Sequence, residues 1–221
     1  MKWIAYIRYF FYLAVNWNLR VAFYIILREI RGERKYRIRT TGADELKKLR
    51  ALGTDISHAT MYMPASYDIL EELFEKAGME WTRHFIDIGC GKGRALCVAA
   101  RMGCRKVTGI DFSPSLCEDA RRNLAHTHQT LPGLQYDVIC KDALHFDIPP
   151  DADCFFLFNP FDEIIMKSVV QHIMKSCSSN PRPVSVIYVN PLHREVFLKA
   201  GFREVYHCSK LKYLEGIILQ R

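Results

Sequence analysis

A glycine-rich turn is the most specific chemical signal in the sequence. It reads Gly89-Cys-Gly-Lys-Gly93 and joins a short apolar run to a helical pattern. Glycine allows positive φ angles and lets a ligand lie against bare backbone. The N-terminus of the helix that follows presents unpaired N–H groups to an anion. The turn therefore predicts a ligand site, although a single glycine turn is a weak signal by itself.

Three aspartates stand at matching places on successive predicted strands. Asp87 lies two residues before the first glycine, Asp111 ends the next strand, and Asp142 follows the third. An acid at the position of Asp111 can accept hydrogen bonds from both hydroxyls of a ribose, and Asp142 could meet an adenine amine. Because ligands of open parallel sheets bind at the carboxyl ends of the strands, the three acids predict an adenosine pocket there. Taken singly, Asp111 could cap a helix and Asp142 could be a turn residue.

The elements that must position these acids are visible as a repeating pattern. Apolar runs alternate with helical periodicity, which predicts an α/β fold with a doubly wound, mostly parallel sheet covered on both faces. The nearly unbroken apolar run 153–158 fits a central strand, and the last two strands predict an antiparallel pair at one edge. The predicted strands span residues 84–88, 106–110, 135–140, 153–158, 184–189, 203–208 and 213–219. The predicted helices span residues 67–77, 95–102, 115–126, 163–177 and 193–200.

The basic charge lies in the first part of the chain. Residues 1–50 hold 12 Lys and Arg against 4 Asp and Glu, whereas the rest of the chain holds 19 against 20. A basic arm predicts an anionic surface as its partner: membrane head groups, nucleic acid or an acidic protein. We therefore divide the chain into a basic, aromatic-rich helical extension with its connector, residues 1–55, and a ligand-binding domain, residues 56–221. The connector is expected to contain a short helix at 44–51.

Residues 3–27 of the extension are very apolar. Their longest uncharged run covers only residues 9–19. This run is too short to span a bilayer, which needs about 20 residues. Arg8, Asn16, Asn18 and Arg20 scatter around a single helical wheel, and either asparagine could break or cap a helix. Two interpretations stay open. One is a helical hairpin packed on the body or on a second copy; the other is a segment lying at a membrane surface, with the basic residues of 28–39 facing lipid phosphate.

Composition and cysteine spacing exclude several classes of protein. Of the 221 residues, 49% are apolar and 25% are charged. Neither intrinsic disorder nor a small disulfide scaffold fits this composition. The eight cysteines form no CxxC pair and no zinc-type cluster, which predicts no metal site. Cys90, Cys97 and Cys104 recur every seven residues and fit one buried helix face. Reduced core thiols indicate a cytoplasmic protein, which the membrane interpretation would place at the inner face of the membrane.

The motifs together resemble one enzyme family. Asp87-Ile-Gly-Cys-Gly-Lys-Gly93, Asp111, Asp142-Ala143 and Asn159-Pro-Phe161 resemble the class I S-adenosylmethionine-dependent methyltransferases. The resemblance covers about residues 60–221 and implies a Rossmann-like sheet of seven strands with an antiparallel edge hairpin. The Gly-Lys-Gly-Arg form of the loop resembles a bacterial subgroup whose substrate is undefined. The resemblance to this family also implies S-adenosyl-L-methionine as the cofactor.

The resemblance gives the motif residues their expected roles. The glycine loop would face the methionine part of the cofactor, Asp111 the ribose, and Asp142 the adenine. Tyr62 corresponds to an upstream segment that often closes over the methionine end, with packing on the sheet as the alternative. Arg94 opposes the preference of a helix N-terminus for negative charge, so we expect it to meet a carboxylate or to be solvated. The predicted cofactor-binding residues are Tyr62, Asp87, Gly89, Gly91, Arg94, Asp111, Asp142, Ala143 and Asn159.

The catalytic expectation concerns Asn159, Pro160 and Phe161, which follow the fourth strand. They resemble the Asn/Asp-Pro-Pro-Tyr/Phe motif of amino-group methyltransferases, with one proline where that motif has two. In that motif the Asn oxygen and the next backbone carbonyl accept N–H bonds from the acceptor, and the aromatic ring stacks on it. The resemblance therefore implies transfer to a nitrogen, with a protein side chain favoured; a plain strand-to-loop turn is the alternative.

Other functions stay open at this point. A nucleic-acid acceptor is conceivable because the basic arm could hold phosphate, but the rest of the chain is near neutral. A small-molecule acceptor, and a non-catalytic nucleotide-binding or membrane-tethered scaffold, are further alternatives. A dinucleotide-dependent oxidoreductase is disfavoured, because its loop would read G-x-G-x-x-G.

Overall fold

The computed structural model describes residues 2–16, 18–41, 64–158, 162–210 and 214–221. Its helices are α1 (Lys2–Asn16), α2 (Leu19–Tyr36), α3 (Tyr67–Ala77), α4 (Arg94–Arg101), α5 (Pro114–Thr130), α6 (Glu163–Ser179) and α7 (Arg194–Lys199). Its strands are β1 (Phe85–Ile88), β2 (Lys106–Asp111), β3 (Gln135–Cys140), β4 (Cys154–Phe158), β5 (Ser185–Val189), β6 (Arg203–Lys210) and β7 (Leu214–Gln220).

The strands form one sheet in the order β3-β2-β1-β4-β5-β7-β6. Strands β1 to β5 run parallel, and β7 is antiparallel to both of its neighbours. Helices α3, α4 and α5 pack against one face, and α6 and α7 against the other. The predicted α/β fold, with a mostly parallel seven-stranded sheet and an antiparallel edge pair, is confirmed.

The burial of the strands explains this order. In β4 the first four of five residues are buried, which suits a central strand covered by helices on both sides. In β6 only Cys208 is buried, because this strand lies at the edge of the sheet. The central strand β4 is therefore more deeply buried than the edge strand β6.

Helices α1 and α2 form an antiparallel hairpin. Tyr9, Leu13 and Ala22 are buried between them, and the rings of Phe10 and Phe23 meet edge to face at 4.8 Å. Asn18 caps α2, since its side-chain oxygen accepts from the N–H of Val21 at 2.9 Å, as expected of an asparagine at a helix start. The expectation that an asparagine would interrupt this segment is met at Asn18.

Helix α2 packs on the body of the protein. The rings of Tyr36 and Tyr67 stack at 5.6 Å, and the hydroxyl of Tyr24 donates to Asp68 at 2.9 Å. Gly32 allows this contact, because a Cβ added there would lie 2.1 Å from the ring of Tyr67. Of the two interpretations of the extension, the hairpin on the body is therefore the arrangement found, and it leaves one face of the hairpin exposed.

Three further expectations concern the same region and the thiols. No described helix combines the length and the apolar character needed to cross a membrane. The boundary predicted at residue 55 and the helix predicted at 44–51 lie outside the described residues, so the two-domain division stays a prediction. All eight cysteines are free, and Cys90, Cys97 and Cys104 are buried as expected. The prediction that they share one helix face is wrong, because only Cys97 lies in α4, whereas Cys90 belongs to the glycine loop and Cys104 follows the helix.

Candidate active site

The strand register brings the predicted residues to one edge of the sheet. Asp87 lies opposite Gly109 of β2 on one side and Phe156 of β4 on the other. Asp111 ends β2 opposite Cys140 of β3. Because the four strands run parallel, their carboxyl ends and the loops that follow them share this edge.

The glycine loop after β1 is fixed by its own backbone. Gly89, Gly91 and Gly93 have φ angles of 84°, 52° and 76°, a region that favours glycine. The N–H groups of residues 89 and 90 both donate to the carbonyl of Ile110, at 2.8 and 2.9 Å. Gly93 also has no room for a side chain, since an added Cβ would lie 3.1 Å from that of Ala120. The loop is thus a rigid, bare-backbone cradle at the start of α4.

Asp111 is held in place by backbone donors. Its carboxylate accepts from the N–H of Gly91 at 2.8 Å and from that of Ser113 at 2.9 Å, one bond to each oxygen. A carboxylate oxygen has a second lone pair, so each oxygen can accept one more hydrogen bond. Burial raises the pKa of this carboxyl, against the lowering effect of its backbone donors. The geometry suits a ligand that offers two adjacent hydroxyls.

Asp87 is a carboxyl buried in the sheet, with 2% of its surface exposed. Burial raises its pKa well above the ordinary range, and the negative charge of Asp111 raises it further, since both disfavour the ionised form. A positively charged ligand beside the two acids would relieve this cost. The acid pair and the bare loop therefore fit a nucleoside that carries a cationic group, as S-adenosylmethionine does on its sulfur and its amine.

Asp142 and Ala143 follow β3 at the same edge. Asp142 is exposed and accepts from the N–H of Leu144 at 2.9 Å, which caps the short 3-10 helix Ala143–His145. Ala143 is buried. The turn role that the sequence left open for Asp142 is therefore present, and its contact with adenine stays a prediction.

Arg94 meets a carboxylate, which is one of the two outcomes expected of it. Its side chain is buried, its Nη1 donates to Glu29 of α2 at 2.7 Å, and its Nε donates to Thr40 at 2.7 Å. The guanidinium also stacks 4.1 Å from the ring centre of Tyr67. Its contact with the cofactor stays a prediction. We propose a positioning role for it, in which it fastens α2 to the start of α4.

Four predicted site residues, Tyr62, Asn159, Pro160 and Phe161, lie outside the described residues. Their roles stay predictions. The described residues on either side are Phe158, which ends β4 at the carboxyl edge of the sheet, and Asp162, which caps α6 by accepting from the N–H groups of Ile164 and Ile165.

Two residues that contact the loop and its surroundings were missed by the sequence analysis. Asn123 of α5 accepts from the N–H of Arg39 at 3.0 Å and donates to the carbonyl of Lys92 at 2.9 Å, which ties the extension to the glycine loop. Nothing in the local pattern marks it. Gly109 allows the loop to lie on β2, since an added Cβ would be 2.7 Å from the sulfur of Cys90. A glycine inside a strand is a signal of such close approach and could have been used.

Among the residues described, no group of three or more His, Cys, Asp or Glu side chains could hold a metal ion.

Replacing Asp87 by asparagine is expected to stabilise the protein without cofactor. The folded-state pKa of Asp87 is raised, so its ionised form costs free energy of folding at neutral pH, and that cost disappears as the pH falls through the raised pKa. We expect Asp87→Asn to raise Tm at neutral pH by about 3 °C or more, with a smaller gain in acid. Thermal denaturation across pH measures this, with the exposed Asp137→Asn as the control. An unchanged or lower Tm for Asp87→Asn would contradict the account.

Comparisons with known proteins agree with this geometry. A family model described as a methyltransferase domain matches residues 85–183. The ribosomal protein L11 methyltransferase of Pelobacter propionicus is 28% identical over 148 residues, which are 67% of this chain and 44% of that protein. The chain thus spans less than half of the length of that relative.

Solved structures share the fold. An RNA methyltransferase from Salinibacter ruber, in complex with S-adenosyl-L-homocysteine, superimposes with a TM-score of 0.52 and 20% identity over 72% of this chain and 93% of that one. A ribosomal protein L11 methylase from Lactobacillus delbrueckii subsp. bulgaricus gives a TM-score of 0.54 and 17% identity over 69% and 76%.

Proposed function

We propose that this chain is a class I S-adenosylmethionine-dependent methyltransferase that methylates a nitrogen atom, favouring an amine on a protein side chain. Residues 85–183, which match the family model described as a methyltransferase domain, would carry this activity. The observation that carries the cofactor part is the carboxylate of Asp111, held by two backbone N–H groups beside the glycine loop. The nitrogen acceptor rests on the sequence Asn159-Pro160-Phe161 at the end of β4.

The chain's task in this reaction is mainly alignment. When bound, the cofactor would supply a methyl group carried on a positively charged sulfur. The lone pair of the acceptor nitrogen would form a bond to the methyl carbon as the carbon–sulfur bond breaks on the opposite side, which leaves a neutral thioether, and the methylated nitrogen would release its proton to solvent. Because the charge disperses during transfer, the site gains most from orienting the reactants and excluding water. The rigid glycine loop and Asp111 would fix the nucleoside, and the nearby acid pair would favour the cationic form of the cofactor over its neutral product.

The acceptor side is assigned to residues 159–161. The side-chain oxygen of Asn159 and the carbonyl of Pro160 would accept N–H bonds from the acceptor and aim its lone pair at the methyl group. Phe161 would pack on the carbon chain that carries the nitrogen. A protein acceptor is also supported by the similarity to enzymes named for ribosomal protein L11.

Asn159→Ala is expected to separate binding from turnover. The variant should keep most of its affinity for S-adenosylhomocysteine, because Asp111 and the glycine loop are unchanged and the contact predicted for Asn159 is one of several. Its methyl transfer should fall at least about tenfold, since one hydrogen bond that orients the nitrogen is lost. Turnover is measured with radiolabelled cofactor and extract of a cell lacking this protein, and binding by thermal shift. Asn180→Ala, at the exposed end of α6, is the matched control.

The same assay decides between acceptors. Label in a protein band, stable to nuclease, supports the proposal, and identical turnover by Asn159→Ala argues against the role of that residue. Label that nuclease removes would point to a nucleic-acid acceptor, whose binding should also fall steeply with salt. Cofactor binding without label in any fraction would favour a non-catalytic module.

A further inference from the structure

The hairpin carries two exposed apolar stripes. Six large apolar side chains of α1 and α2 are at least half exposed, and in each helix they recur every four residues, on one face. The stripe of α1 consists of Ile7 (54% exposed), Phe11 (62%) and Val15 (83%), and the stripe of α2 consists of Leu19 (62%), Phe23 (60%) and Leu27 (60%).

The two stripes form one surface. The ring of Phe10 lies 5.7 Å from that of Phe11 and 4.8 Å from that of Phe23, so it bridges the two helices beneath the stripes. Val15 lies near the end of α1 and Leu19 at the start of α2, so both apolar stripes reach the tip of the hairpin. We call these six side chains with Phe10 the apolar face.

Exposed arginines border the apolar face at both ends of α2. Four residues beyond Leu27 in α2 comes Arg31, and Arg20 and Arg34 are also exposed. The acids of the described part of this region are turned inward. Glu29 is buried against Arg94, and Glu33 accepts from the N–H groups of Thr40 and Thr41, both at 2.7 Å. The exposed charge described on α2 is thus cationic, beside an apolar tip.

We propose that the apolar face of the hairpin docks this protein on an anionic membrane surface. The charge pattern selects this occupant. Two copies meeting face to face would bring their arginines together, whereas an anionic bilayer takes the apolar side chains into its interface and the arginines at head-group depth. In this proposal the hairpin lies in the interface, with its apolar face toward the acyl chains. This inference is independent of the proposed methyl acceptor.

The body holds the hairpin in a fixed position during docking. Arg28 pairs with Asp68 at 3.2 Å and Lys35 with Glu71 at 3.0 Å, both across the contact between α2 and α3. The same helix reaches Arg94, at the start of the helix that follows the glycine loop. Membrane docking would therefore orient the whole domain relative to the lipid surface.

The test is vesicle co-sedimentation of the full-length protein. Vesicles containing phosphatidylglycerol and phosphatidylcholine should bind the protein, and vesicles of phosphatidylcholine alone should bind it far more weakly. The double variant Val15→Ser/Leu19→Ser should reduce the partition coefficient more than about tenfold, because it removes the apolar tip. Arg31→Gln/Arg34→Gln should reduce it about fivefold for each arginine, and added salt should act in the same direction.

The control variant changes an exposed aromatic side chain that lies outside the hairpin. Trp81→Ser removes an aromatic side chain that is 83% exposed outside the hairpin, and it should bind vesicles as the wild type does. Equal loss in Trp81→Ser, or equal binding by all variants, overturns the proposal. So does a stable dimer in solution that Val15→Ser/Leu19→Ser dissociates, because a second copy would then cover the apolar face. Circular dichroism of each variant shows that lost binding does not reflect unfolding.

Discussion

Asp111→Asn is expected to weaken the binding of S-adenosylhomocysteine by about a hundredfold to a thousandfold. The carboxylate accepts one backbone N–H on each oxygen and keeps a lone pair on each for a ribose hydroxyl. An amide offers one oxygen instead of two and points N–H donors at the backbone N–H of Gly91 or Ser113. Both charge-assisted bonds to the ligand are lost or weakened, at about 1.5–3 kcal/mol each. Isothermal titration calorimetry measures the affinity.

The affinity for the cofactor should also depend on pH through the same residue. The ionised carboxylate is the form that accepts both hydroxyls, and burial raises the pKa of Asp111. Affinity should therefore be highest above that raised pKa and fall as the pH drops through it, at a higher pH than for an ordinary aspartate. In Asp111→Asn this component of the pH dependence should vanish, leaving that of Asp87.

The control for both measurements is Asp137→Asn, on the exposed side of β3. It should leave affinity and pH profile unchanged. If Asp111→Asn bound with wild-type affinity, Asp111 would not contact the ribose, and the cofactor assignment would lose its main structural support.

The sequence was sufficient to predict the sheet and the acids at its edge, because both follow from local patterns. A short apolar run between turns indicates a strand whichever neighbour it pairs with. The alternation of strands with helices indicates that successive strands run parallel. Helix ends were less accurate. Helix α5 was predicted to end at residue 126 but extends to Thr130. The prediction ended too early because the last turn consists of polar residues, which resemble the start of a loop. Thr127 in this turn is nevertheless buried.

The extension was harder to interpret, because its helical pattern changes phase at Asn18. The polar residues of this segment, Arg8, Asn16, Asn18 and Arg20, scatter around a single helical wheel. The structure has two helices instead, and α1 and α2 each have their own buried side and their own exposed apolar stripe. A break of two residues rotates one wheel against the other. The asparagines correctly indicate a break, but the distribution of polar residues has meaning only when each helix is considered separately.

The role of Arg94 could not be derived from local pattern, because its partner lies 65 residues away in the sequence. Its position at a helix start correctly indicated a carboxylate, and the family resemblance then favoured the cofactor. Glu29 and Glu33 are the first two acids of a strongly basic segment. Both Glu29 and Arg94 are buried, and charged side chains are almost never fully buried unless they are paired.

Glu29→Ala is expected to destabilise the protein by about 3–5 kcal/mol, because the substitution leaves a buried guanidinium without its carboxylate. The side chains of Glu29 and Arg94 are 2% and 4% exposed. For a chain of this length the loss corresponds to a fall in Tm of about 6–20 °C. The exposed pair of Glu118 and Arg122 provides the matched control, because Glu118→Ala should cost less than about 1 kcal/mol.

The double variant Glu29→Met/Arg94→Met distinguishes a positioning role from cofactor contact. Removing both charges leaves no unpaired ion, so Tm should recover most of the loss seen in Glu29→Ala. If Arg94 only fastens α2 to α4, the double variant should bind S-adenosylhomocysteine within a few-fold of wild type, because Asp111 and the glycine loop keep their own backbone bonds. Recovered stability together with lost binding would return Arg94 to the cofactor site. Recovery of both would establish that the extension and the cofactor loop are joined through a buried ion pair whose purpose is structural.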